Sequence, residues 1–432
     1  MAYKEIPLSV KQFMAAITEK CETTHEDWAK NFNAAFANTL LTTVNKQSDG
    51  TTFVLTGDIP AMWLRDSTAQ VRPYLVIAKE DPELAAMIAG LVKRQFFYIT
   101  IDPYANAFNE GPNGAGHQED HTDMKDWIWE RKYEIDSLCY PIQLAYLLYK
   151  NTGCVEQFDE QFVQGVKKIL EVFALEQDHQ HSTYTFERDI VGGSRPEDTL
   201  IRSGRGAEVT PCGMTWSGFR PSDDACIYGY LVPSNMFAVV VLGYLEEIFT
   251  QILSDPNIVA AAKKLKEAIQ EGIETYGITL NQSGEKVFAY EADGAGRAVV
   301  MDDSNVPNLM SAPYLGYISS DDPIYQETRR TILSKENPYY YEGTYAKGIG
   351  SSHTPPNYIW PIALSMEGLT SDNKREKERI LNLLTATDAG TNLMHESFDV
   401  DAPESYTREW FSWANMMFCE LLMDYFDIRV EK

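Results

Sequence analysis

Cysteine is scarce in this sequence and never occurs as a closely spaced pair. Six cysteines stand singly along 432 residues, which excludes a zinc ribbon and a C-x-x-C redox motif. Free, buried thiols are therefore the expected state of these side chains. The sequence also lacks a P-loop, a G-x-S-x-G turn and an H-E-x-x-H helix, so nothing in it supports nucleotide-dependent or serine-hydrolase chemistry.

Positive charge is in short supply as well. The chain has 37 Lys and Arg against 63 Asp and Glu, a formal net charge of −26 at pH 7. A field of this sign repels polyanions at moderate salt. We therefore expect neither nucleic acid nor an anionic membrane surface as a partner.

Long hydrophobic runs are missing too. The longest nearly uninterrupted apolar stretch, 236–245, is about half of what a bilayer-spanning helix requires, and it stops at Glu246 and Glu247. No transmembrane segment is expected. The N-terminal residues show no basic patch followed by an apolar stretch, as a signal peptide would. If Met1 is the native start, the expected location is cytoplasmic.

Helical patterns dominate what is present, and they are of two kinds. Residues 236–253 begin apolar on nearly every side, as in a fully buried helix, whereas 256–276 carry apolar residues only every three or four positions. The same contrast recurs between 410–426 and 372–387, so inner and outer helices alternate. About a dozen such segments predict an all-α fold of the α/α-barrel type, at 8–20, 25–46, 66–79, 83–101, 124–150, 155–178, 225–254, 256–276, 305–317, 322–335, 358–368, 372–387 and 410–427.

Strand signals are few, and we interpret them as small β decorations in the loops. They lie at 52–56, at 183–187, and in a hairpin-like pair, 287–290 with 298–301, around the turn at 293–296. No repeat, low-complexity run or linker divides the chain. A single catalytic domain over residues 1–432 is therefore expected, while its oligomeric state stays open.

Several long connections are dense in Gly, Pro, Trp, Arg, Asp and His. Loops of this length inside a compact domain are usually functional. If they join inner to outer helices at one end of a barrel, they line a single pocket. The connections in question are 57–66, 109–123, 192–224, 340–358 and 389–408.

Two of these loops carry candidate catalytic carboxyl groups. Asp223 and Asp224 precede a buried helix, where one acid could cap the helix while the other points into the pocket and stays protonated beside a like charge. Glu396 lies in Met-His-Glu-Ser-Phe; it could pair with an arginine such as Arg408, or hold a water as a general base. One acid and one base from distant loops is the arrangement that glycoside hydrolysis requires.

A metal site is the main alternative. His117 and His121 are four residues apart, with Glu119, Asp120 and Asp123 nearby, and could serve a metal-dependent hydrolase. Contacts to sugar hydroxyls, or hydrogen bonds within the loop, explain the same residues without a metal. A third possibility is a sugar-binding protein without catalysis.

Aromatic and charged residues also stand together, as sugar recognition demands. A hexose has apolar C–H faces and polar rims, so its site combines rings with charged hydrogen-bonding groups. Trp63, Arg65 and Asp66 form such a set in one loop. Further rings come from Trp127, Trp129, Tyr133, Trp360, Trp410 and Trp413.

Five motifs in these loops resemble glycoside hydrolase family 125, which contains bacterial and fungal exo-α-1,6-mannosidases. They are 57–67, 116–123, 213–224, 353–361 and 394–398, in the same order as in the family, and the likeness runs from about residue 10 to the C-terminus. The resemblance implies an (α/α)6 barrel, no metal or other cofactor, and removal of terminal α-1,6-linked mannose from manno-oligosaccharides or N-glycan fragments with inversion.

The resemblance also implies roles for individual residues. Asp223 corresponds to the general acid and Glu396 to the general base. Arg65, Asp66, His117, Arg220 and His353 fall in motifs around the terminal-sugar pocket, and Trp63 stands in the first of these motifs. An inverting mechanism requires carboxyl groups about 6.5–9.5 Å apart, against about 5–5.5 Å for a retaining one.

Overall fold

The structure is a computed structural model that describes residues 3–22, 24–190 and 195–432. Its chain divides into two compact units, each assembled from separate stretches of sequence. Unit 1 comprises Met1–Gln95, Leu144–Gln157 and Tyr341–Lys432, and unit 2 comprises Phe96–Gln143 and Phe158–Tyr340. The first residues of the predicted loop 192–224 lie outside the described part.

Helices make up most of the regular structure. In chain order they are α1 Leu8–Cys21, α2 Glu26–Asn38, α3 Leu64–Val71, α4 Leu75–Ala78, α5 Pro82–Ile101, α6 Ile135–Thr152, α7 Glu160–Leu175, α8 Ile201–Gly204, α9 Val232–Gln251, α10 Pro256–Tyr276, α11 Ala312–Leu315, α12 Pro323–Ile332, α13 Pro361–Leu369, α14 Lys374–Ala386 and α15 Ser412–Tyr425. A π-helical turn, Thr39–Thr43, and three 3-10 segments, Arg72–Tyr74, Glu176–His181 and Pro196–Asp198, extend or connect them.

The strands are all short. They are β1 Val44–Lys46, β2 Thr52–Val54, β3 Met62–Trp63, β4 Ala107–Phe108, β5 Ile128–Glu130, β6 Tyr230–Leu231, β7 Ile278–Leu280, β8 Lys286–Phe288, β9 Glu291–Ala292, β10 Ala298–Val299, β11 Tyr340–Glu342, β12 Lys347–Ile349, β13 Tyr358–Ile359, β14 Ser397–Asp399 and β15 Ala402–Thr407. The prediction of small β elements beside a helical body agrees with this inventory.

Unit 1 is built around α15, which is buried on every side from Ser412 to Asp424. It packs against α2, α3, α13 and α14. Helix α14 has the one-sided pattern of an outer helix, since Ile380, Leu381 and Leu384 are buried while three of its six charged residues are exposed. Each fully buried isoleucine or leucine side chain stabilises the fold by about 1.5–3 kcal/mol.

Unit 2 likewise contains a buried helix, α9, and a one-sided outer helix, α10. Helix α9 is buried along most of its length, and α10 packs along it with Ile258, Leu265 and Ile269 turned inward. The carboxylate of Asp255 accepts the backbone N–H groups of Asn257 and Ile258, which fixes where α10 begins. The amphipathic pattern therefore predicted both the bounds and the buried face of this helix.

Among the described residues, two helices, α5 and α9, are long and apolar enough by length and composition to cross a membrane. In the structure 67% of each apolar window is buried. Core helices of this kind have the same composition as membrane spans.

Antiparallel pairing holds the small sheets inside each unit. In unit 1, β1 pairs with β2, and β14 pairs with both β13 and β15. In unit 2, β4 pairs with β5, β7 with β8, and β9 with both β6 and β10. The predicted hairpin partners are wrong: the turn at 293–297 joins β10 to β9, whereas β8 belongs to a different hairpin.

All six cysteines are free, and four of them are buried. Burial raises the pKa of Cys21 and of the half-buried Cys212 to about 11. These thiols stay protonated at neutral pH, as expected for cysteines that fill space.

Candidate active site

Asp223 lies at the tip of a tight turn in unit 2. The turn closes through hydrogen bonds from the Asp223 N–H to the Arg220 carbonyl (2.9 Å) and from the Arg220 N–H to the Asp224 carbonyl (2.8 Å). Pro221 presets the backbone at the second position, and Asp223 adopts a left-handed φ of 66°. Such a conformation is uncommon outside glycine and concentrates at functional sites.

The neighbouring carboxyl group has a different environment. Asp224 is fully buried and pairs with Arg195, whose Nη2 lies 2.6 Å from its Oδ1. The expectation that one of the two acids caps the following helix is wrong, because α9 begins only at Val232, after a further short strand. Asp223 is half-buried, so of the two it is the one that solvent reaches.

Three residues around Asp223 form what we call the acid cluster: Asn106, Glu130 and Lys132. Asn106 Nδ2 donates to Glu130 Oε1 at 3.0 Å and, over a longer 3.4 Å, to Asp223 Oδ1. Lys132 Nζ donates to the backbone carbonyl of Asp223 at 2.8 Å. The β4–β5 register, which sets Ala107 opposite Glu130, brings Asn106 to this position.

Glu130 is the charged centre of the acid cluster. It is 3% exposed; its Oε2 accepts from Arg188 at 2.8 Å and lies 3.7 Å from His117 Nε2. Burial alone pushes the pKa of Glu130 up, and Asp223 pushes in the same direction. The charges of Lys132 and Arg188 outweigh both, and the pKa lies below its ordinary value.

Two of the predicted sugar-binding residues are also in unit 2. His117 sits beside the acid cluster through its contact with Glu130. Arg220 is 2% exposed, and its Nε donates to Glu291 Oε1 at 2.6 Å. Because Glu291 also accepts the backbone N–H groups of Ile227 and Tyr228, Arg220 fastens the loop that follows Asp223.

Glu396, in unit 1, stands at the start of β14. Its N–H donates to the carbonyl of Thr407 across the β14–β15 pair, at 3.3 Å. Glu396 is buried, with its side chain 7% exposed, and Arg408 Nη1 lies 3.4 Å from its Oε1. Arg408 also donates to Asp58, at 2.6 Å from Nη2. Burial alone would lower the pKa of Arg408, but these two carboxylates raise it, so the guanidinium stays charged.

The other unit 1 candidates connect to this region through rings. The Arg408 guanidinium lies 4.5 Å from the ring centre of Phe411, which contacts Trp360 and Trp413 edge-on. Arg65 lies over Trp413 at 5.5 Å and 3.4 Å from Asp66, and His353 meets Trp360. Unit 1 therefore brings Arg65, Asp66, His353 and Glu396 into one chain of contacts.

The indole nitrogen of Trp63 is not accessible to a ligand. The Trp63 side chain is 5% exposed, and its indole nitrogen is buried without a hydrogen-bond partner in the described part of the chain. No hexose hydroxyl can reach that nitrogen in this conformation. Any contribution of Trp63 to binding comes from its ring.

The metal alternative gains no support. Across residues 3–22, 24–190 and 195–432, no group of three or more His, Cys, Asp or Glu side chains could hold a metal ion. His117 faces Glu130, whereas His121 is exposed and lies 3.1 Å from Asp189. The loop spacing of four residues does not give the two imidazoles a common target.

Asn106, Glu130, Lys132 and Arg188 were missed by the sequence interpretation. Residues 124–150 were assigned to one helix, which hid the short strand β5 and the turn after it. The available signal was the run of charges from Glu130 to Lys132 directly after two tryptophans.

Comparison with known proteins identifies the family. Residues 25–423 match the family described as metal-independent α-mannosidase (GH125). A metal-independent α-mannosidase of Streptococcus pneumoniae, solved in a non-productive complex with α-1,6-mannobiose, is 57% identical, with a TM-score of 0.96 over 99% of this chain and 100% of that one. The chain therefore belongs to the GH125 family of metal-independent α-mannosidases, which are glycoside hydrolases.

One further relative and one structure of similar fold extend the comparison. The meiotically up-regulated gene 157 protein of Schizosaccharomyces pombe is 38% identical, over 96% of this chain and 85% of that protein. A glucoamylase from Saccharomycopsis fibuligera is 11% identical with a TM-score of 0.53, over 99% of this chain and 98% of that one, a likeness of fold alone. The predicted fold class is confirmed: all-α, of the (α/α)-barrel type, with small β decorations.

Proposed function

We propose that this protein is an exo-acting, inverting α-1,6-mannosidase that removes terminal mannose from manno-oligosaccharides or N-glycan fragments. The observation that carries the proposal is the 57% identical Streptococcus pneumoniae mannosidase, which holds α-1,6-mannobiose. The exo specificity and the inversion rest on the resemblance of the five loop motifs to the family.

In the proposed reaction Asp223 is the general acid. Its carboxyl group gives a proton to the glycosidic oxygen as the bond from that oxygen to C1 of mannose breaks. The half-buried position at the tip of a turn supports this role, because a proton donor must both meet substrate and be partly shielded from water.

Glu396 is the general base. Its carboxylate removes a proton from a water molecule, whose oxygen attacks C1 from the face opposite the leaving group. The product is β-mannose, and Asp223 and Glu396 then exchange protons with solvent. Arg408 supports this role, since it holds the carboxylate in place from 3.4 Å away.

The remaining candidates are proposed to hold the terminal hexose. Arg65, Asp66, His117 and His353 supply charged or polar groups, and Trp63 supplies a ring face. Arg220 belongs to the same proposed set, and its bond to Glu291 suggests that it acts by shaping the loop around Asp223.

The first experiment follows the product. Incubation of the full chain with α-1,2-, α-1,3- and α-1,6-linked mannobiose should release mannose from the α-1,6 linkage only, and NMR of the first-formed product should show the β-anomer. α-Mannose as the first product would contradict inversion. Saturable binding without release of mannose would indicate a sugar-binding protein instead. An α-1,6-linked mannotriose should lose one residue at a time from its non-reducing end.

The second experiment tests the two carboxyl groups. Asp223→Asn and Glu396→Gln should each lower kcat on α-1,6-mannobiose by several orders of magnitude, about 10³-fold or more, while the thermal unfolding temperature changes little. Asp189→Asn and Glu404→Gln remove exposed carboxylates of the same two units and should leave turnover unchanged. Wild-type turnover by either active-site variant would reject that assignment.

A further inference from the structure

Glu130 lies in the acid cluster as a buried carboxyl neighbour of the proposed proton donor, and its pKa is lowered by Lys132 and Arg188. It shares one amide with that donor: the two N–H groups of Asn106 point at Glu130 Oε1 (3.0 Å) and Asp223 Oδ1 (3.4 Å). The side-chain oxygen of Asn106, Oδ1, accepts the backbone N–H of Lys132 at 3.1 Å. This third bond fixes which end of the amide faces the carboxyl groups, because the reversed orientation would turn an oxygen toward both.

We propose that Glu130 is a positioning residue for the reaction, and that its buried charge, delivered beside Asp223 across the shared Asn106 amide, keeps Asp223 protonated at working pH. The proposal deepens the proposed function and rests on it for the role of Asp223. It assigns to Glu130 no contact with substrate.

The charges around the two carboxyl groups determine the direction of the effect. Lys132, Arg188 and His117 face Glu130, the last at 3.7 Å. Asp198 lies 3.4 Å from Lys132. In the turn itself, Arg220 pairs with Glu291 and Asp224 pairs with Arg195. Without the charge of Glu130, Lys132 retains Asp198 and Arg188 retains Asp120 as carboxylate partners, but the surroundings of Asp223 become more positive by one charge. A more positive surrounding favours ionised Asp223, which cannot give a proton.

The shared amide also orients the proton. Asp223 Oδ1 accepts from Asn106, which favours this oxygen as the carbonyl oxygen of a protonated carboxyl group. In the proposal the transferable proton is therefore carried by Oδ2. A carboxyl group that is both protonated and oriented is what general-acid catalysis of glycoside cleavage requires.

The decisive measurement is a pH titration of the Asp223 carboxyl carbon by NMR in the full chain with ¹³C-labelled aspartate, the signal being assigned by its loss in Asp223→Asn. Glu130→Gln should lower the pKa of Asp223 by about one unit or more. Glu130→Asp, which restores the charge, should return it toward the wild-type value. Glu187→Gln, an exposed carboxylate in the same unit, should not move it. An unchanged Asp223 titration in folded Glu130→Gln would overturn the proposal.

A second measurement covers the case in which Glu130→Gln does not fold, since that variant leaves Lys132 buried beside a neutral group. In the wild type the two carboxyl groups should titrate in a fixed order: Glu130, followed in protein with ¹³C-labelled glutamate, ionises first, and Asp223 ionises at higher pH against the charge of Glu130. Asp223 ionising before Glu130 would overturn the proposal as well.

Kinetics then separate positioning from a general structural effect. The basic limb of the kcat/KM profile reports the general acid of the free enzyme, so on α-1,6-mannobiose Glu130→Gln should shift that limb to lower pH by the same amount and leave the acidic limb in place. Parallel loss at every pH would contradict the proposal. If the wild type does not hydrolyse α-1,6-mannobiose, the proposed function fails, while the NMR titrations still decide the coupling of Glu130 to Asp223.

Discussion

Asp302 is a carboxyl group whose protonation is tied to folding. It is fully buried in unit 2 and accepts the backbone N–H groups of Leu309 (2.8 Å) and Met310 (3.1 Å). Burial raises its pKa well above the ordinary value near 3.8, despite these two bonds. Asp303 beside it is shifted in the same direction, also by burial.

This shift predicts a pH dependence of stability. Above pH 3.8 the unfolded chain releases the Asp302 proton while the folded chain keeps it, so stability falls as pH rises, by up to about 1.4 kcal/mol per unit. Asp302→Asn removes the titrating group and, with it, this pH-dependent loss of stability. The unfolding temperature of the variant relative to wild type should therefore increase as the pH rises from 5, up to the pH at which Asp302 ionises in the folded chain, measured by scanning calorimetry.

Asp401→Asn serves as the control for that measurement. It removes the same charge, but backbone hydrogen bonding lowers the pKa of the exposed Asp401, so its titration falls below the tested range. Its difference from wild type should stay constant between pH 5 and pH 8. Parallel behaviour of the two variants would show that Asp302 is ionised in the folded chain.

At the scale of single residues, the sequence was enough to predict candidate catalytic residues but not the side chains that contact them. Asp223 and Glu396 could be singled out because acids flanked by aromatic residues in long loops are unusual. The surroundings of Glu130 could not, since its partners Asn106 and Arg188 come from separate segments. Their meeting depends on the register of β4 and β5, and two-residue strands leave no periodicity in a sequence.

At the scale of elements, one glycine governs how the first motif loop meets the start of α15. Gly57 forms a bridge with Phe411, and its φ is 139°. A Cβ at this position would lie 2.5 Å from the carbonyl oxygen of Trp410, well inside contact distance. The bridge places Asp58, the next residue, where it binds Arg408 beside Glu396.

Gly57→Ala should therefore destabilise the protein by about 2–4 kcal/mol and lower kcat on α-1,6-mannobiose through the displaced Asp58. The matched control is Gly243→Ala within α9, where an added Cβ meets nothing within 4 Å. That variant should gain about 0.5–1 kcal/mol from helix propensity. Unfolding temperatures measure both, and equal shifts for the two variants would contradict the steric reason.

The accuracy of the predicted helix bounds differed from helix to helix. Residues 256–276 match α10 as it stands, whereas 25–46 end in a π turn and strand β1, and 305–317 hold only the short α11. Around Asp302 and Asp303 the chain is held by buried polar bonds rather than by a helix. Apolar periodicity does not encode such bonds, so the prediction failed where side chains satisfy the backbone.

At the scale of the whole molecule, the expectation of a single domain leads to a prediction about cooperativity. The division between the two units falls inside α5, between Gln95 and Phe96, and inside α6, between Gln143 and Leu144. Unfolding one unit alone would cut both helices, and short helical remnants are marginal in water. Each unit therefore contributes to the stability of helices that the other one also needs.

Scanning calorimetry should accordingly show one unfolding transition, with a calorimetric enthalpy close to the van't Hoff enthalpy. Gly57→Ala in unit 1 and Asp302→Asn in unit 2 should each move that whole transition rather than split it. Two separated transitions, with only one of them responding to each substitution, would instead show that the units unfold independently. Scans at several rates distinguish an equilibrium transition from irreversible loss.

Since each unit carries one of the two proposed catalytic carboxyl groups, a single transition would also mean that Asp223 and Glu396 lose their folded surroundings together. Activity should then decline with heating along the same curve.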